Sequence, residues 1–163
     1  METKISFYNV VNMFLTGVVF CGCMGIMFFN KIIKYFAAIK DVNIGYELLI
    51  TVVCFALIYE VGLIINRLSS VLFEEILKKI KLIKHDDYGT YKKAEMKNDF
   101  LKILSREYAV SRNFMTVFFL LFIVSLIKLD IVFALSFISL TVLFFFSMKK
   151  HSSKISALVK SLT

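Results

Sequence analysis

The chain has 163 residues, 59% of them hydrophobic, with 18 Phe, a mean hydropathy of +0.79 and a net charge of +8. Its apolar stretches leave no polar face to meet water, which excludes an ordinary soluble helical domain. What remains is an all-α membrane protein, a four-helix transmembrane bundle with one charged hairpin.

Ile5 to Phe29 is the first stretch long enough to cross a bilayer core, which takes about 20 apolar residues at roughly 1.5 Å rise each. Lys4 is the one basic residue before it, no A-x-A-like cleavage site follows it, and Val18-Val19-Phe20 before Cys21 is no lipoprotein signal, so it reads as a retained span. Gly17, Cys21 and Gly25 recur at intervals of four, a stripe of small residues where another helix can approach closely. Asn9, Asn12 and Thr16 lie on or near the same half; they want partners or water, which makes Asn12 and Thr16 pore-lining candidates. Cys21, Cys23 and Cys54 fall within the apolar stretches, where small apolar packing is the expected role and metal binding is not. In the connection that follows, Ile32, Ile33, Tyr35, Phe36 and Ile39 oppose Lys31, Lys34 and Asp41, the pattern of a short helix in the membrane interface, a connector or a lid over a pore mouth.

Leu48 to Ile65 is the second span, and nothing between Tyr46 and Lys84 breaks a helix. Beyond Arg67, Leu68, Val71, Leu72, Ile76, Leu77, Ile80 and Ile83 recur at helical spacing against Glu74, Glu75, Lys78, Lys79 and Lys81, so the span is expected to run on out of the membrane as one helix of about 55 Å. His85 to Thr90 supplies turn chemistry. A return helix is expected from about Tyr91 directly into the third span, Phe114 to Ile127, which is extended back through Tyr108 with Arg112 snorkelling to the headgroups. Ile131 to Met148 is the fourth. The expected organisation is a transmembrane domain of residues 1–66 and 113–148, a basic hairpin of 67–112 and a tail of 149–163.

Sixteen Lys and Arg lie on one side of this arrangement against four on the other, so both termini and the hairpin are expected in the cytoplasm. The lysine-rich, proline-free composition is that of an AT-rich, bacterial gene, hence a bacterial cytoplasmic membrane.

Glu60 is the outstanding side chain. A carboxylate inside a span costs several kcal/mol unless paired, protonated or wet. It is read either as half of an ion pair with Arg67 or Arg112 or as a pore or gate residue, with Asn66 beside it and Gly62 allowing close packing. The three arginines, Arg67, Arg106 and Arg112, all flank the membrane end of the hairpin. With Lys78, Lys79, Lys81, Lys84, Lys92, Lys93, Lys97 and Lys102 they form a patch suited to a polyanion, with Tyr88, Tyr91 or Tyr108 for base stacking. Attraction to anionic lipid accounts for the same charge. Ser136 and Ser139 are expected to bond back to their own helix.

Catalysis is not expected. The only histidines, His85 and His151, have no acidic or cysteine partner at ligand spacing, and no phosphate loop, nucleophile elbow or zinc motif occurs. No cofactor is implied.

The string Tyr59-Glu60-Val61-Gly62-Leu63-Ile64-Ile65-Asn66-Arg67-Leu68-Ser69-Ser70, with Asp86-Asp87-Tyr88, Leu104-Ser105-Arg106-Glu107-Tyr108 and Arg112-Asn113, resembles small four-span membrane components of bacterial anti-phage defence, of the Hailong and Kiwa types. The resemblance covers most of the chain in architecture and only these strings in sequence. A Hailong-type likeness implies a homo-oligomeric channel, a tetramer, gated by a nucleotide or single-stranded DNA at the hairpin. A Kiwa-type likeness implies a non-conducting sensor or scaffold that recruits a cytosolic partner protein. An immunity protein against an incoming toxin is a third possibility.

Overall fold

In the computed structural model, which describes residues 7–29, 33, 44–83 and 87–162, every regular element is helical. Four helices are long and apolar enough to cross a membrane, with mean hydropathies of 2.0, 2.6, 2.0 and 2.4 in chain order. The interfacial helix expected after the first span, and Lys84 to Asp86 of the hairpin tip, lie outside the described residues except for Ile33.

The chain divides into two compact units, residues 1–66 and 67–163. In the first, α1 (Phe7–Met27) crosses α2 (Ile44–Leu68) at two glycines. A Cβ on Gly17 would overlap the Ile58 carbonyl, and one on Gly62 would overlap the Met13 carbonyl. The crossing is backbone against backbone, the close approach that only glycine permits. Phe14 and Phe55 flank it at 5.9 Å between ring centroids, and the Tyr59 hydroxyl lies 3.8 Å from Met13 Sδ.

The second unit is built on an antiparallel pair, α5 (Phe100–Ile127) and α6 (Ile131–Leu162). Stacked rings of Phe114, Phe118, Phe137 and Phe144, with centroids 5.2 to 6.2 Å apart, fill the seam. Their turn is tight. Leu129 takes the left-handed conformation at φ 58°, Asp130 N–H reaches back to the Ser125 carbonyl, and the Asp130 carboxylate accepts from Phe133 N–H at 3.3 Å to start α6. Ser136 and Ser139 donate to the carbonyls one turn earlier, at 2.9 and 2.8 Å.

Three features of this unit depart from the periodicity of the sequence. The extension of α2 is not uniformly α-helical: Ser69–Glu74 is a π segment, followed by the short α3 (Glu75–Lys79) and a left-handed Lys81. The return helix is interrupted. After α4 (Tyr88–Lys97), capped by Asp87, Asn98 is extended and its side chain accepts from Phe100 N–H at 2.9 Å to begin α5. Finally, residues 149–162 are no tail, because α6 stays helical to Leu162. Val159 packs with Ala94 and Leu101, all nearly or fully buried, so the end of α6 supplies the apolar surface that a two-helix hairpin lacks.

Candidate functional site

The densest polar constellation lies where the π segment meets α5. An i→i+5 helix brings residues five apart to within about 50° of each other around the axis, whereas in an α-helix they stand about 140° apart. Ser69 and Glu74 therefore share one face, and both use it on α5. Ser69 Oγ donates to Asn113 Oδ1 at 2.7 Å, and Arg112 donates to the Glu74 carboxylate.

Glu74 is the hub. Lys78 lies 2.9 Å from its carboxylate and 3.6 Å from that of Glu75, and Tyr108 lies nearby. The side chains of Glu74 and Arg112 retain only 14% and 12% exposure. Two cations face two carboxylates, so the cluster is charge-balanced and has no surplus for a further anion while Glu74 stays in place. Asn113 is fully buried and its Nδ2 has no partner among the described residues, so the network is only partly satisfied. On the other side of α5, Ser111 and Ser147 share a hydrogen bond of 2.9 Å, and His151 Nδ1 lies 3.3 Å from Glu107, too poorly aligned for a hydrogen bond. Residues 107–113 thus form a polar belt clasped by the π segment and by α6.

Of the residues expected to hold an anion, this cluster gathers Arg112, Lys78 and Tyr108. The others are dispersed. Lys92 pairs with Glu95 at 2.7 Å, Lys97 donates to the Leu162 carbonyl, and Lys102 pairs with Asp99 at 2.6 Å. Glu95 raises the Lys92 ammonium above its usual range, and Lys102 holds the Asp99 carboxyl below its own. Arg67, Lys79, Lys81, Lys93 and Arg106 are exposed, and Lys84 lies outside the described residues. Four of the cations expected in one basic patch, Lys78, Lys92, Lys102 and Arg112, are paired with neighbouring carboxylates.

Among the membrane residues, Asn12 and Thr16 are enclosed by protein at 7% and 0% exposure, with the Thr16 hydroxyl bonded to the Asn12 carbonyl at 2.7 Å. Asn66 is half-buried. Gly17 and Gly62 form the α1–α2 crossing, whereas Gly25 meets open space and Cys21 is half-buried, so within one chain the stripe makes its close contact at Gly17. Glu60 is exposed on α2, about 160° around the helix from Gly62, and among the described residues it has no ion pair or hydrogen bond.

Sequence reasoning missed Glu74, Ser69 and Asn113 as a unit, and it missed the Glu107–His151 approach. The signal for the first was a serine and a carboxylate five apart, which α periodicity separates. Among the described residues no three His, Cys, Asp or Glu side chains cluster as metal ligands.

Fold and site together define a multi-pass helical membrane protein with a largely shielded ionic cluster where the π segment meets α5. No protein-family model, curated protein or solved structure matches the chain.

Proposed function

We infer that the protein is a homo-oligomeric membrane effector, a channel whose state is set at its cytosolic hairpin by an anionic nucleotide or oligonucleotide. One observation carries the reading: Glu60 stands on the bare face of α2 with Val53, Leu57 and Ile64, which are 49%, 59% and 61% exposed. Only 11% of the apolar window of that span is covered within one chain. A lone carboxylate facing hydrocarbon is too costly to persist, and a neighbouring subunit or a water-filled path relieves it. At the hairpin, an anion that displaces Glu74 from Arg112 and Lys78 gains two cations already in position. The bacterial inner-membrane setting follows the lysine-rich, proline-free composition, the cytosolic side of the hairpin follows the positive-inside bias, and the anti-phage defence context and tetramer rest on the resemblance of the strings around Glu60 and Arg112.

The test is ion flux through liposomes holding the purified protein, with and without single-stranded DNA or cyclic nucleotides. Flux that a ligand switches, and that Glu60→Gln alters, supports the channel. Tight liposomes under every condition sink it in favour of a non-conducting sensor or scaffold that recruits a cytosolic partner. That second reading draws on the hairpin's own surface, where Lys78, Lys92 and Lys102 are already paired while Met96, Phe100 and Ile103 are 75%, 52% and 49% exposed.

A further inference from the structure

From Leu72 onward the chain carries a second packing register that this fold does not use. Phe73 and Leu77 pack against the core of Ile83, Met115 and Met148. Leu72, Ile76 and Ile80 sit one residue upstream of Phe73, Leu77 and Lys81, at the same helical spacing, and are 49%, 54% and 56% exposed. An amphipathic helix ordinarily carries one apolar stripe. This one carries two, offset by a single residue.

That offset is what a π turn creates. A π turn accommodates one residue more than an α turn over the same length of axis. If it closes to α, each later residue moves to the place its successor held: Ile76 replaces Leu77, Ile80 replaces Lys81, and Leu72 moves toward the place of Phe73. Closing also separates Ser69 from Glu74 by about 140°, so the two can no longer both face α5. The contacts Ser69–Asn113 and Glu74–Arg112 therefore hold the turn open, and the bare stripe supplies apolar packing for the closed form.

We propose that Ser69–Glu74 is a two-register switch, held in its π form by Glu74 on Arg112 and Lys78, and that release of Glu74 closes the turn and seats Leu72 and Ile76 in place of Phe73 and Leu77. The slip moves residues 75–80 by about 1.5 Å and roughly 100° relative to α5. Both registers bury side chains of similar size, which keeps the gap between them small enough for a contact at Glu74 to decide it. The device depends neither on a pore nor on a particular ligand.

Cysteine cross-linking in the full-length protein reads the register directly, with Cys21, Cys23 and Cys54 first replaced by serine. The pair Leu77→Cys with Met115→Cys reports the π form, and Ile76→Cys with Met115→Cys reports the closed form. Adding Glu74→Gln should raise the second link relative to the first by at least about tenfold. Removing Ser70 deletes the extra residue, so the first link should then form even with Glu74→Gln. Ser111→Cys with Ser147→Cys, whose native hydroxyls are 2.9 Å apart, checks that α5 and α6 remain paired. Should Glu74→Gln fail to accumulate, Ser69→Ala replaces it with the same two outcomes. An unchanged link ratio in a protein that passes this check overturns the proposal. So does Ile76→Cys linking only to a second copy, which would make the bare stripe a subunit contact.

Discussion

Arg112 on α5 and Glu74 at the close of the π segment lie 38 residues apart and meet in a charge-assisted hydrogen bond that is largely shielded from water. Removing one partner strands the other at low exposure. Glu74→Gln is expected to lower stability by about 2–4 kcal/mol. Adding Arg112→Met should restore more than half of that loss, because no unpaired buried charge then remains. Thermal unfolding of the two variants and the parent in detergent measures both effects, and a double variant no better than the single one would show that the pair's worth lies elsewhere.

The glycine crossing in the first unit makes a sharper contrast. Gly62→Ala puts a methyl into the Met13 carbonyl, so α1 and α2 must part. A loss of about 1–3 kcal/mol is expected, the range for overpacking a close contact. Gly25→Ala meets open space and should be neutral or slightly stabilising through helix propensity. Thermal unfolding of the two variants side by side decides the matter; equal losses would place the tight contact elsewhere.

Leu129 adopts φ 58° while 86% exposed, so its side chain gains little packing in return for a conformation that costs a non-glycine residue about 1 kcal/mol. Leu129→Gly should therefore raise stability by about 0.5–1 kcal/mol, and Leu129→Val should lower it. A melting temperature that falls for the glycine variant would mean that the leucine is packed against something other than its own chain.

The charged end of the second unit depends on α6. Leu101 is fully buried between Ala94 and Val159, and Leu101→Ala is expected to cost about 2–4 kcal/mol. Truncation after Met148 removes Val159 together with the Leu162 carbonyl that accepts from Lys97. Hydrogen exchange across Tyr88–Lys97 should accelerate in both variants; unchanged protection after truncation would mean that α4 holds without α6.

Four apolar stretches, the intervening charge and the absence of helix breakers between Tyr46 and Lys84 were all legible, because a bilayer selects on length and hydropathy, which are local properties of a sequence. Gly17 and Gly62 stood out individually as small residues, but only the fold brings each against the other's helix. The third span reads as short from Phe114 onward, and the structure supplies a helix that begins at Phe100. Glu74 reads as one charge among several on a solvated face.

The amino-acid order by itself determined that this is an all-helical membrane protein with a charged extension, since apolar length and 3.6-residue periodicity need no partner to be recognised. The tertiary structure alone decided that the helix shifts to π geometry at Ser69, that Glu74 turns inward to Arg112, and that residues 149–162 cover the hairpin. Each of those outcomes depends on what faces the segment across a packed interface. Asn113 draws Ser69, Arg112 draws Glu74, and Ala94 with Leu101 gives Val159 a surface to bury, contacts between residues far apart in sequence that no local pattern encodes.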